Sequence, residues 1–298
     1  MASASRADDT SKATPSTTGS TPAAATPAAS TPASTTPASK YPPYADVIKD
    51  FGSVDGLFKL HHKGSKLLAE LNSSHLNRDF IVLISIAKGI GRGQLLGGMS
   101  WGFGDDWIWQ FRKSDDRIHI VRRNVRFTAA KGDPQERAVN LAFTDSVLFS
   151  LPIATMSPSG AYVIDLTSVF MGDLPQISSA LPGFSFSEAR STWAPGFPKG
   201  FPNNVELEVA ATYASSGTQD IDSVADSRGA TINVHYSISL LPSTGFQSRV
   251  ADDRIGYFLT VVKDYSRKGV DDRFVRYINR WDLRKADASA EISPPTKP

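Results

Sequence analysis

The chain contains no cysteine. This rules out disulfides, thiol nucleophiles, cysteine-ligated zinc and a lipidated N-terminal cysteine. It does not fix a redox compartment. No apolar run reaches the ~18–20 residues that span a bilayer as a helix, so no transmembrane segment is expected. The opening residues, MASASRADDT, lack the charged-then-apolar order of a signal peptide. The chain is then either cytoplasmic or begins after a leader. A dominant charge sign is also missing. Thirty-two Lys+Arg against 30 Asp+Glu leave a net charge of +2, which gives no electrostatic ground for a nucleic-acid partner. Histidine is scarce, with five residues. None stands in an H-E-x-x-H pair, which would set two imidazoles on one helix face with Glu as base.

What is present begins with low complexity. Residues 1–40 carry no apolar side chain larger than Ala except Met1, and from Thr21 the pentapeptides TPAAA, TPAAS, TPAST and TPASK follow one another. Such a segment cannot bury enough apolar area to offset chain ordering, so a disordered tail with polyproline-II bias is expected over 1–40. Residues 287–298 turn polar and Pro-containing again and read as a linker or tail.

Between these ends the pattern is that of strands. Tyr44–Phe51 reads as a short helix with Tyr44, Val47, Ile48 and Phe51 on one face. Leu57–His61 and Lys66–Leu71 form a hairpin around Lys63-Gly64-Ser65. Phe80–Ala87 is almost wholly apolar and suits a strand covered on both faces. Trp107–Arg112 and Arg117–Val121 pair across Lys113–Asp116. Pro134–Asn140 is a helical turn, Ser146–Ile153 and Ala161–Leu166 are strands, and Thr167–Leu174 is a short helix capped by Thr167. Period-two alternation is clearest at Val205, Leu207, Val209, Ala211 and Tyr213, and at Ile232, Val234, Tyr236 and Ile238. Val275, Tyr277, Trp281 and Leu283 alternate with arginines in the same manner. The expected fold is mainly β: an antiparallel sandwich or open barrel with a few short helices.

Several motifs carry possible chemistry. Gly98-Met99-Ser100-Trp101-Gly102 matches G-x-S-x-G, whose serine is a nucleophile only at a sharp strand-to-helix turn. No helical pattern follows it, and its glycines equally suit a tight loop. Gly89-Ile90-Gly91-Arg92-Gly93 lacks the spacing of a dinucleotide loop and the Lys-Ser/Thr ending of a P-loop. Asp220, Asp222 and Asp226 share a polar loop, but Val224 occupies what would be a calcium-ligand position. Adjacent aspartates recur at 105–106, 115–116, 252–253 and 271–272, where they suit turns. His61, His62, His75, His119 and His235 are scattered, and adjacent His61 and His62 point to opposite faces of a strand. Trp101, Trp107 and Trp109 with Phe103 and Phe111 make either a core cluster or a ligand platform. Arg122, Arg123 and Arg126 read as a solvated strand face. Arg254 is expected to order its loop through a bidentate carboxylate pair. These motifs assign no catalytic and no metal-binding residue, and leave any binding residue unknown.

The segments YADVIKDF, GIGRGQLLGG, DRIHIVRRNVRF, DSVLFSLPI, NNVELEVAATY, DSRGATINVHYSISLLP, ADDRIGYF and FVRYINRWDLRKAD, in this order, resemble the N-terminal region of bacterial exported zinc-dependent metalloproteases. In that family two domains of unknown function precede a zincin catalytic domain. The resemblance implies a small module over 41–92 and a larger β-rich domain over 93–286. It also implies export to the periplasm, cell surface or medium, and a metalloprotease catalytic domain as partner in cis or in trans. Zinc would reside in that domain, and no cofactor is implied for this chain. The implied role is accessory: folding, covering or substrate docking for the protease. The alternative is a stand-alone β-sandwich module binding a ligand or glycan.

Overall fold

The computed structural model describes residues 40–102, 107–217, 220–241, 245–254, 256–270 and 272–296. The Ala/Thr/Pro/Ser-rich tail up to residue 39, together with Phe103, Asp105, Asp106, Ile255 and Asp271, lies outside the described residues.

Among the described residues, seventeen strands and three short α-helices follow one another. Helix α1 (Tyr44–Val47) leads into β1 (Gly52–Val54), β2 (Lys59–Lys63), β3 (Lys66–Leu71), β4 (Phe80–Lys88), β5 (Met99–Ser100), β6 (Trp107–Ser114), β7 (Arg117–Arg122) and β8 (Phe127–Thr128). Helix α2 (Pro134–Ala142) precedes β9 (Ser146–Met156) and β10 (Tyr162–Asp165). Helix α3 (Thr167–Phe170) precedes β11 (Ser185–Phe186), β12 (Thr192–Trp193), β13 (Lys199–Phe201), β14 (Asn204–Ala214), β15 (Gly229–Leu240), β16 (Leu259–Asp264) and β17 (Phe274–Ile278).

Fourteen strands make one sheet with the order β1-β2-β3-β10-β9-β7-β6-β4-β15-β14-β11. Strands β12 and β13 also pair with β14, and β5 pairs with β4. Sequence segments 41–92 and 93–286 are thus interleaved in a single sheet. A small second sheet has the order β17-β16-β8. The mainly antiparallel architecture agrees with the alternation in the sequence.

A sheet of this width must curl to bury one face. Register shifts at Val163/Ile164, Ile120/Val121 and Asn233/Val234 help it bend. The two ends of the sheet approach each other without forming a ladder. Leu57 N–H donates to the Phe201 carbonyl at 2.7 Å, and Trp193 Nε1 donates to the Ser65 carbonyl at 3.0 Å. Glycine makes this approach possible: a Cβ on Gly200 would lie 2.2 Å from the Asp55 oxygen. The result is an open barrel with a seam. Its interior holds Leu60, Leu67, Phe80, Trp109, Ile118, Val209, Tyr213 and Tyr236, plugged by Val169, Phe170, Ile177 and Leu181.

Local chemistry explains the turns. Gly64 (φ 57°) turns β2 into β3, and Asp115 (φ 50°) turns β6 into β7, since Gly and Asp tolerate the left-handed region best. Asp133 caps α2 by accepting from Gln135 N–H, with Pro134 following.

Four local expectations need correction. Helix α1 is one turn rather than Tyr44–Phe51, because Asp50 reverses the chain at φ 63°. Phe80–Ala87 is covered on one face only. Phe80, Val82, Ile84 and Ile86 are buried while Leu83 is 45% exposed. Thr167 does not cap α3. Its hydroxyl accepts from Leu67 N–H at 3.0 Å, and Leu166 holds the cap position. The last strand stops at Ile278, and Trp281 and Leu283 are exposed.

Candidate functional site

The outer face of β1–β3 carries the most connected polar cluster. Ladder pairing sets Ser53 opposite His61 and His61 opposite Leu68, so Glu70 lies two residues along on the same face of β3. Helix α1 brings Tyr44 over them. Ser53 Oγ lies 2.8 Å from His61 Nδ1, and His61 Nε2 lies 2.7 Å from Glu70 Oε1. Tyr44 donates its hydroxyl to Glu70 Oε1 at 2.6 Å. His61 is 0% exposed, whereas Ser53 is exposed. Burial pushes the Glu70 carboxyl up, but hydrogen bonds from Tyr44 and His61 outweigh it and hold the carboxyl below its ordinary value. Burial and the adjacent Glu70 push the Tyr44 hydroxyl up, so it stays a donor. An ionised Glu70 can only accept, so His61 presents Nε2–H to it. In the neutral ring Nδ1 is then the acceptor that faces Ser53 Oγ–H.

A second cluster lies on the outer face of β14 and β15. His235 Nε2 is 2.7 Å from Glu206 Oε2, and Nδ1 is 3.5 Å from Glu208 Oε2. Ser237 Oγ donates to Glu206, and Asn233 Nδ2 donates to Glu208, both at 2.8 Å. The hydrogen bond to Glu206 raises the His235 pKa against the opposing effect of burial. Burial pushes Glu206 up, but bonds from His235, Ser237 and Asn204 bring it below its ordinary value. This is an ion-pair clamp across two strands, with both ring nitrogens facing glutamates.

Ser100 is not a nucleophile elbow. It sits on β5, opposite Ser85, which in turn lies opposite His235. Two strand spacings, about 10 Å, separate the Ser100 backbone from that of His235, and among the described residues the next element is β6 rather than a helix. Among the glycines around it, a Cβ on Gly89 would lie 2.1 Å from the Leu95 oxygen. The Gly89–Gly93 stretch is therefore a tight backbone packing turn.

Other sequence candidates take structural places. Trp109 and Phe111 are core residues. Trp107 is half-buried with Arg122 over its ring at 4.3 Å, and Trp101 donates Nε1 to the Pro175 carbonyl. Arg123 joins Asp79 and Asp145, and Arg112 joins Asp145 at 2.5 Å, so this arginine face is a charge network rather than a simply solvated one. Asp226 is taken up by a bidentate pair with Arg228. Arg254 does pair bidentately, but with its own neighbour Asp252 and while 86% exposed. Of the pairings in these clusters, the Arg254 bidentate pair alone was expected from sequence. Glu70 was missed, although the expected hairpin register already places it beside His61. Ser53 was missed because β1 has no strand pattern of its own.

The third feature is a surface. After residue 240 the chain exposes Phe258 (72%), Trp281 (81%), Leu283 and Ile292 (91%), with Val250, Tyr257, Val261 and Phe274 also exposed. A cleft of about 490 Å³ separates this part from the outer face of the large sheet, walled by Ile81, Ile108, Phe127, Val261 and Val262.

Two family models match the chain, both described as domains of unknown function: DUF5118 over residues 41–89 and DUF5117 over residues 104–286. No curated protein and no solved structure matches it. Since the second match covers well over half of the sequence, the chain belongs to the DUF5117 family, whose function is undefined.

Proposed function

We propose that this chain is the N-terminal accessory region of an exported zinc-dependent metalloprotease. Its C-terminal surface is the face on which the protease domain docks, in cis or in trans. The observation that carries this reading is the exposed apolar set Phe258, Trp281, Leu283 and Ile292. Large exposed apolar patches mark interaction sites, and aromatic anchors dominate the energetics of such contacts. The ordered sequence resemblance supplies the identity of the partner. The accessory region contributes no zinc ligand and no general base to peptide hydrolysis. Zinc belongs to the partner domain in this reading. The glycan-binding alternative draws no support from the aromatic cluster, since Trp109 and Phe111 are buried.

Sedimentation of the full chain with its zinc protease domain tests the proposal. A one-to-one complex is expected. The double change Phe258→Asp, Trp281→Asp should weaken it at least about tenfold while the melting temperature holds. Absence of any complex, or equal affinity of the double variant, overturns the reading.

A further inference from the structure

We propose that Ser53 is an activated nucleophile that accepts the acyl group of small activated esters and passes it to water, with His61 as its base. The case rests on geometry and is independent of the docking reading. Three side chains from three consecutive strands line up as hydroxyl, imidazole and carboxylate, with separations of 2.8 Å and 2.7 Å. The order hydroxyl–imidazole–carboxylate is the one that activates serine in hydrolases, here with the two ring nitrogens exchanged: Nδ1 faces the serine and Nε2 the carboxylate. Tyr44 donates to the same Glu70 oxygen and lies 3.3 Å from His61 Nε2, so the relay is pinned at its buried end. The outer end is open. Ser53 is exposed and lies on β1, the edge strand of the large sheet, where backbone N–H groups face outward. Alternation along β2 places Lys59 and Lys63 on the same face as His61. Lys59 pairs there with Asp55 at 3.9 Å and Lys63 with Asp50 at 3.3 Å. A purely structural histidine needs partners for its nitrogens but has no reason to spend one on an exposed serine at a sheet edge.

The chemistry balances as follows. Ser53 Oγ forms a bond to the ester carbonyl carbon, and its proton moves to His61 Nδ1. The adduct collapses, the C–O bond to the leaving group breaks, and His61 returns its proton to the leaving oxygen, which departs as the phenol and frees Nδ1 as a base. A water molecule then adds to the acyl-serine as its proton passes to the imidazole. The Ser53–acyl bond breaks, and the serine regains a proton from His61. The net reaction is ester plus water to acid plus alcohol, with no oxidant or reductant.

The test treats the native full chain with a biotinylated fluorophosphonate and maps the label by mass spectrometry. Label is expected on Ser53, at a rate about a hundredfold above that of the same serine in the urea-unfolded chain, where it has no base. Ser53→Ala should abolish both the label and the release of p-nitrophenolate from p-nitrophenyl acetate. Ser100→Ala should change neither. His61→Gln should slow labelling to the unfolded rate; the native-versus-unfolded comparison stands even if that variant does not fold. An unlabelled Ser53, a native rate no faster than the unfolded one, or ester turnover that survives Ser53→Ala overturns the proposal.

Discussion

The segment up to residue 240 and the segment after it are built from similar residues but bury them differently. In the first, β14 and β15 hide every second side chain, and nearly all buried apolar residues belong to this part. After residue 240, Ile278 is the sole buried apolar residue among those described. Yet that shorter stretch exposes more large apolar side chains than the rest of the described chain. The difference teaches that strand pattern and burial are separable. Strands β16 and β17 pair with each other along five residue positions, but their sheet has three strands against fourteen and covers little. A small sheet cannot bury its faces alone, so its apolar residues face outward, where a partner can use them.

Substitutions can break this comparison. Phe170, packed against Trp109 and Tyr236, should cost about 3–5 kcal/mol on change to Ala by urea unfolding. Phe258→Ala should stay within about 0.5 kcal/mol. Similar costs at the two positions would show that the C-terminal segment is a second core. Buried polar pairs give the next contrast. Glu70→Ala leaves the Nε2–H of fully buried His61 without its acceptor and should destabilise by about 1–3 kcal/mol, measured by the same unfolding experiment.

A smaller effect concerns pH. The His235 pKa is raised, so its stabilising contribution is complete below the unfolded histidine value and is lost as pH rises through the folded one. Glu206 is lowered, so its contribution is present above the unfolded glutamate value and is lost as pH falls through the folded one. The clamp therefore stabilises most between the ordinary glutamate and histidine ranges. Urea midpoints should fall between pH 5.5 and pH 8.5 by more in the wild type than in His235→Gln. Equal falls would remove the clamp from the stability of the main sheet. The smallest effect is expected at Arg254. Its guanidinium is 86% exposed beside a half-buried Asp252, and the hydrogen bonds from Arg254 hold that carboxyl at about 2. Exposed pairs contribute little, so Arg254→Lys should leave the unfolding midpoint unmoved.

Much of the fold was legible in local pattern. The hairpin at Gly64, the turn at Asp115, the alternating faces of β14 and β15, and the helix after Asp133 all follow from residue chemistry within a few positions. The candidate site was legible only in part. The β2–β3 register brings His61 and Glu70 together, but Ser53 joins them through a strand three residues long, too short to leave a periodic signal, and Tyr44 through a helix that was legible while its docking on β2 and β3 was not. Ser100 shows the opposite case, where a five-residue motif was present without the strand-to-helix turn that gives it meaning.

By itself the sequence determined the long strands as strands and the buried faces of β14 and β15, because side-chain alternation and turn residues act over a few positions. The tertiary structure alone decided that β4 pairs with β15 about 150 residues later, and that the ends of the sheet meet at Gly56 and Gly200. It also decided which apolar residues remain uncovered. Those outcomes depend on which surfaces are left to pair once the whole sheet has curled, and no local stretch of chain encodes that.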